Sequence, residues 1–268
     1  MRRRTISYLL YGITAATLVF LWLPLSVMIF LSVAENASTV FPFQGFTMEH
    51  IVAALSDRTI VQSVLNSLVV ATAASGIATV IGVLASFALA RYEFPWKDAY
   101  RTALVTPMII PGIVLGLGLL VFFNTILGVQ LSLFTIILTH SLYGLPFVVL
   151  LVSSRLYAFD TSVEEAARDL GADRWEVFWE ITFPIVRPAI MAGAVFAFIR
   201  SFEDFIRAFM VQGTGNVLTV TMFSLIKYNS TAKMNAISTL IIFVIAVLLA
   251  IGMNLGSVVE YTAGERGE

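Results

Sequence analysis

Four ionisable side chains, Arg200, Glu203, Asp204 and Arg207, stand inside the otherwise apolar segment GAVFAFIRSFEDFIRAFMVQG. Spaced i, i+3, i+4 and i+7, they share one face if the segment is a helix. Such a stripe suits recognition of a charged solute. Carboxylates receive an ammonium, guanidiniums grip a carboxylate or phosphate, and Phe202 or Phe205 can add a cation–π face. It equally suits a self-compensated ladder that fixes helix packing, because each acid has an Arg at helical spacing. Bond-breaking chemistry finds no comparable constellation. The chain has no Cys and two His, no His-x-x-x-His pair, no nucleophile–base pair and no G-x-x-x-x-G-K-[ST] phosphate loop. No metal, no cofactor and no ATP hydrolysis by this chain itself are therefore expected. His140, beside Tyr143, reads as a packed, hydrogen-bonded histidine, since a proton relay needs several linked groups.

A second constellation is the polar island TSVEEAARDLGADRWEVFWEITFP at 161–184. Ser162 with Glu165 reads as a capping box that starts a helix. Gly171 supplies a left-handed stop. Asp173 with Glu176 makes a second capping box, and the next helix, carrying Trp175, Phe178 and Trp179, is expected to run until Pro184. Two short helices around a glycine corner expose apolar residues outside the lipid. Those residues need something to pack on, either another chain or this chain's own helices and the headgroups.

The elements that must position both constellations are membrane helices. The 268 residues are 59% hydrophobic and only 12% charged, where soluble domains are nearer a quarter charged. A net charge of −1 gives no nucleic-acid signal. About 20 apolar residues cross a bilayer, and six segments qualify: 8–33, 60–90, 99–127, 131–155, 186–210 and 235–259. Arg2, Arg3 and Arg4 precede an apolar run too long for a signal core, so the first span is expected to be retained. Pro107 and Pro111 predict a kink in the third span. Ala71, Ala73, Ala74, Ser75, Gly76, Gly82 and Ala85 predict close helix packing in the second. With the N-terminus inside, the inner segments hold Arg2, Arg3, Arg4, Arg91, Lys97, Arg101, Arg155, Arg168, Arg174, Arg187 and Arg266. The outer loops 34–58 and 211–234 hold only Arg58, Lys227 and Lys233. By the positive-inside rule both termini and the 161–184 loop are cytoplasmic. The 211–234 loop mixes apolar and polar residues and has room for a short surface helix. No linker divides 1–268, which reads as one membrane domain.

The spacing Glu165-Ala166-Ala167, then Gly171 after three residues, then Ile181-Thr182-Phe183-Pro184 after nine more, resembles the cytoplasmic EAA loop of permease subunits of binding-protein-dependent type I ABC importers. Phe183 stands where that pattern has Leu. Asn66-Ser67-Leu68, the exit Ser86–Phe94 and Thr106–Pro111 resemble the same family in order, so the likeness spans about 60–260. Leu145–Val149, Ser154–Leu156, Phe159-Asp160 and the stretch 227–236 resemble its spermidine/putrescine branch, whose relatives also carry amino-compound, opine-like and ferric-ion substrates.

The resemblance implies an all-α polytopic fold with six transmembrane helices, of the type I ABC importer permease kind, in a bacterial inner membrane. It implies two ABC ATPase subunits on the cytoplasmic side, a second permease subunit, often a different chain, and a periplasmic or lipid-anchored solute-binding protein. Glu164, Glu165, Ala166, Ala167, Gly171, Ile181 and Pro184 would be the ATPase-coupling residues. Arg200, Glu203, Asp204 and Arg207 would border the path of a polyamine or related amino compound, the two Arg leaving amino-acid-like and opine-like solutes open. An ion-gradient-driven secondary transporter is the rival reading; it accounts for spans and buried charges but not for the loop spacing, and such carriers usually have more helices in an inverted repeat.

Overall fold

The computed structural model describes residues 2–37, 39–228 and 230–264, with side chains between 6 and 247. Among the described residues the regular structure is helical, and the one extended contact is an isolated bridge between Ala34 and Phe46. In chain order the helices are α1 Arg2–Val33, α2 Glu49–Ser56, α3 Arg58–Arg91, α4 Lys97–Ile109, α5 Gly112–Val121, α6 Leu133–Tyr157, α7 Ser162–Asp169, α8 Arg174–Glu176, α9 Phe183–Glu203, α10 Ile206–Val211, α11 Leu218–Lys227 and α12 Thr231–Gly264. Two wider π turns, Phe122–Ile126 and Val177–Thr182, extend α5 and join α8 to α9.

Among the described residues, four helices are long and apolar enough to cross a membrane: Ile6–Val33, Arg58–Arg91, Leu133–Tyr157 and Arg174–Glu203. A fifth is obtained if Lys97–Ile109 and Gly112–Ile126 count as one span bent by 106°. The sixth expected span lies on α12, whose side chains are described only to 247. The kink expected of the third span is thus a sharp break. Its cause is local: a residue before proline is pushed out of the helical region, and Ile110, before Pro111, is extended with ψ 129°.

The described residues form two compact units, 62–221 and 1–61 with 222–268. In the first, α6 is the most buried span, packed along α9 and against α4. Val148 sits where three helices meet. A Cβ on Gly82 of α3 would lie 2.7 Å from its Cγ1, and one on Gly193 of α9 would lie 3.1 Å from its Cα. Gly144 of α6 packs similarly against Ala197 and Ala78. Small residues here let backbones approach as closely as dispersion allows. Of the small residues expected to pack in α3, Ala71, Ala74, Ala85 and Gly82 do, whereas Gly76 faces open space. Ser132 and Thr135 cap the start of α6 reciprocally. The Asn66-Ser67 pair acts as a tether: the Asn66 amide donates to the Asn216 carbonyl (2.8 Å), and the Ser67 hydroxyl accepts from the Leu218 amide (2.8 Å).

In the second unit α12 packs on α1 and α2. The Lys233 ammonium meets the Asp57 carboxylate at 2.6 Å, and Asn235 donates to the Ala37 carbonyl at 3.2 Å. The hydrogen bond from Lys233 is the main reason the Asp57 carboxyl lies below its ordinary range. Along α1, Tyr8, Tyr11, Phe20 and Trp22 are all exposed, as expected of a surface that meets lipid rather than water. The short helix expected in 211–234 is α11, although Leu218, Val220 and Thr221 on it are buried rather than at the surface.

Candidate functional site

The 161–184 island folds as a helix, a glycine corner and a second helix. The corner closes α7 with two backbone bonds: the Gly171 amide donates to the Arg168 carbonyl (2.9 Å) and the Ala172 amide to the Ala167 carbonyl (3.1 Å). This is the Schellman pattern, which needs a left-handed residue at its centre, and Gly171 has φ +99°. The second capping box is present as expected, with Asp173 accepting from the Trp175 and Glu176 amides while Glu176 accepts from the Asp173 amide. The first is not. Asp160, two residues upstream of Ser162, captures the Ser162 amide at 3.0 Å, so the start of α7 is set from outside and Glu165 is left free of the cap. The amide and hydroxyl of Ser162 hold the Asp160 carboxyl below its ordinary range.

Pro184 does not end the second helix. α8 runs through the π turn Val177–Thr182 straight into α9, with Pro184 in the first turn of α9. The wider turn absorbs the clash that a proline ring makes with the preceding turn of an α-helix. The loop and the fifth span are therefore one helical run, Arg174–Glu203.

The adjacent acids Glu164 and Glu165 of α7 differ in burial. Glu165 and Ala166 are exposed, Ala167 and Ile181 are half-buried, and Pro184 is exposed. Glu164 is 7% exposed. Its Oε1 accepts from Arg91 Nη2 at 2.7 Å and from the Thr182 hydroxyl at 2.6 Å, and its Oε2 lies 3.6 Å from Arg168. The Arg91 guanidinium also lies 5.3 Å from the Phe159 ring centre. Phe178 tucks against Phe87 of α3 and Trp179 (54% exposed) lies against Phe178 and Phe183, but Leu170 (91%) and Trp175 (73%) stand largely exposed on the corner. Large apolar side chains clustered on one exposed corner mark an interaction surface.

The second constellation differs from the expected stripe. α9 ends at Glu203, Asp204 is extended with ψ 117°, and α10 starts at Ile206. The Asp204 carboxylate takes the Arg207 backbone amide at 2.9 Å, a local bond that competes with helix continuation. The Asp204 carbonyl is met by the Thr219 hydroxyl at 3.0 Å. The four charges thus fall into two pairs either side of a break. Asp204 and Arg207 form a buried ion pair, while Arg200 and Glu203 pair with more than a third of each side chain exposed.

Both pairs gather on Tyr143 of α6. Arg200 donates to its hydroxyl, and the Arg207 guanidinium lies 3.5 Å from its ring centre. Arg200 also lies 5.8 Å from the Phe147 ring centre. His140 is bonded to the Ser201 hydroxyl at 2.8 Å, which is the packed role expected of it. Sequence reasoning missed Arg91 and Thr182 as partners of Glu164, and Tyr143 as the hub of the charges. All three pairings bridge distant stretches of chain.

The pattern of the family described as binding-protein-dependent transport system inner membrane component matches residues 78–260. The chain is 32% identical over 245 residues to the spermidine/putrescine transport system permease protein PotC of Escherichia coli strain K12, covering 91% of this chain and 92% of PotC. It is 30% identical over 250 residues to the putrescine transport system permease protein PotI of the same strain, covering 91% and 87%. Among solved structures, a chain of a bacterial ABC transporter involved in the import of the acidic polysaccharide alginate superposes with a TM-score of 0.74 at 17% identity, covering 93% of this chain and 96% of that one.

Proposed function

The chain belongs to the family of binding-protein-dependent transport system inner membrane components, and on that premise we propose that it forms half of the path for a polyamine or related amino compound in an ATP-driven importer. ATP is hydrolysed by separate ABC subunits, which dock on the exposed corner around Glu165, Gly171, Leu170 and Trp175. A second permease subunit completes the path, and a periplasmic or lipid-anchored binding protein delivers the solute. Residues 60–260 form the permease core, and both termini and the 161–184 loop lie in the cytoplasm, as the Lys and Arg distribution favours.

The observation that carries the reading is the loop corner. A Schellman turn presents Glu165, Leu170 and Trp175 together on an exposed corner at the end of α7. An ion-gradient carrier has no use for such a surface. The solute class is supported by the relatives PotC and PotI, which are named for spermidine and putrescine. It is also supported by the partly exposed Glu203 carboxylate, a group that suits an alkylammonium.

Two measurements on the complex purified from its source membrane test the reading. An ABC ATPase should co-purify with the tagged chain, and spermidine or putrescine should compete for uptake more strongly than neutral amino acids. Recovery of the chain in active form without any ATP-binding subunit would overturn the importer assignment. Uptake indifferent to polyamines would overturn the solute class alone.

A further inference from the structure

Three elements meet on one carboxylate. Glu164 is on α7, Arg91 is the last residue of α3, and Thr182 ends the π turn that leads into α9. The three residues are far apart in sequence, with separations of 73 and 18 positions from Glu164. A carboxylate that accepts both a guanidinium and a hydroxyl at these distances, out of water, is a stiff connection. Withdrawing one partner leaves a buried charge uncompensated, so the node resists opening.

The rest of α7 is loosely held. Val163, Glu165, Ala166, Arg168 and Asp169 are all exposed, and non-helical corners flank the helix at 158–161 and 170–173. A push on α7 from outside would be taken up by bending at those corners unless something ties the helix to the spans. Glu164 is that tie, and it reaches two spans at once.

We propose that Glu164, held by Arg91 and Thr182, is the positioning residue that passes motion of the docking helix to α3 and α9, and that it does so without touching the ATPase. This rests on the importer reading above. The labour is divided between adjacent acids: Glu165 faces the partner, and Glu164 faces the spans. The sequence motif alone cannot separate them.

The test uses the whole complex in proteoliposomes with its binding protein, reading co-purified ATPase, ATP hydrolysis and spermidine accumulated per ATP hydrolysed. Glu164→Ala should retain ATPase within about twofold of wild type and continue to hydrolyse ATP, while spermidine moved per ATP falls tenfold or more. Glu165→Ala should do the reverse, losing ATPase while the complexes that remain keep the wild-type ratio.

Thr182→Val leaves the ion pair in place and covers the case in which Glu164→Ala does not assemble. It should lower the ratio about threefold, and Thr182→Ser, which restores the hydroxyl, should bring it back. An unchanged ratio in Glu164→Ala or Thr182→Val overturns the proposal. So does loss of ATPase from an inserted Glu164→Ala chain. Failure of the wild-type chain to bring down any ATPase would instead sink the importer reading. If the wild type binds ATPase but moves no spermidine, only the solute is wrong, and the node is then read from stimulation of ATP hydrolysis by the binding protein, which Glu164→Ala should abolish.

Discussion

Replacing Gly171 isolates the contribution of a backbone angle to docking. A Cβ built at this position meets nothing within 4 Å, and the residue sits at φ +99°. Any cost within this chain therefore comes from conformation, not from crowding. Holding an L-residue in the left-handed region costs roughly 1–2 kcal/mol, less for Asn and most for a β-branched side chain. At about 1.4 kcal/mol per factor of ten, that strain lowers the fraction of loops in the closed corner by about 5- to 30-fold. Affinity for the ATPase falls by at most the same factor, because only the closed corner binds. The expected series is Gly171→Asn within about threefold of wild type, Gly171→Ala about fivefold weaker and Gly171→Val about 30-fold weaker. Titration of the purified ATPase onto nanodisc-embedded permease measures it, with membrane insertion checked by yield. Equal affinity for all four chains would refute the docking role of the corner. Equal and severe loss in all three variants would refute the conformational argument, since it would mean that the partner packs directly on the Gly171 Cα.

Three further outcomes follow from the geometry. Gly82→Ala should destabilise the detergent-solubilised chain by about 1–3 kcal/mol, because its Cβ would meet both Cβ and Cγ1 of Val148 within 3 Å, whereas Gly76→Ala on the same helix should be neutral or slightly stabilising; thermal unfolding of the two side by side checks this. Asp204→Asn should impair assembly by leaving the buried Arg207 without its counter-charge, while Glu203→Gln should assemble normally and change the ranking of competing solutes in uptake assays. Because Asp57 is held below its ordinary pKa of 3.8 by Lys233, the pair stabilises the fold above that value and the benefit is lost as pH falls through the folded-state pKa; acid unfolding of Asp57→Asn should converge with wild type at the low end and fall short of it near neutrality.

The parts of the site that were legible in the sequence are those fixed by neighbours in the chain. The left-handed stop at Gly171 and the Asp173–Glu176 box need only residues within one turn, and both are present. Where two local signals compete, the closer hydrogen-bonding group decides. Ser162 and Glu165 fit a capping box, but Asp160 reaches the Ser162 amide first. Asp204 fits a helical stripe, but its carboxylate satisfies the Arg207 amide and stops the helix. Proline rules forecast a stop at Pro184, and a π turn, which has no reliable signature in composition, let the helix pass. The fold class was legible because lipid admits few architectures, and hydropathy alone picks out the long spans. The partners of Glu164 were not, because pairing across 73 residues is decided by how α3 and α7 pack, which no local pattern encodes.

Because α8, the π turn and α9 form one run from Arg174 to Glu203, the corner proposed to meet the ATPase and the break at Asp204 are the two ends of a single beam. Its 30 residues span roughly 45 Å at 1.5 Å per residue. Pivoted near its middle, a beam of that length turns a tilt of about 10° into roughly 4 Å of travel at each end, in opposite senses. The Arg200–Glu203 pair rides at the far end. Inward swing of the docking corner would therefore be accompanied by outward swing of those charges, a seesaw whose gearing is set by where the pivot lies. The tight seat of Gly193 against Val148 lies about two-thirds of the way from Arg174 to Glu203, so a pivot there would move the corner about twice as far as the charges.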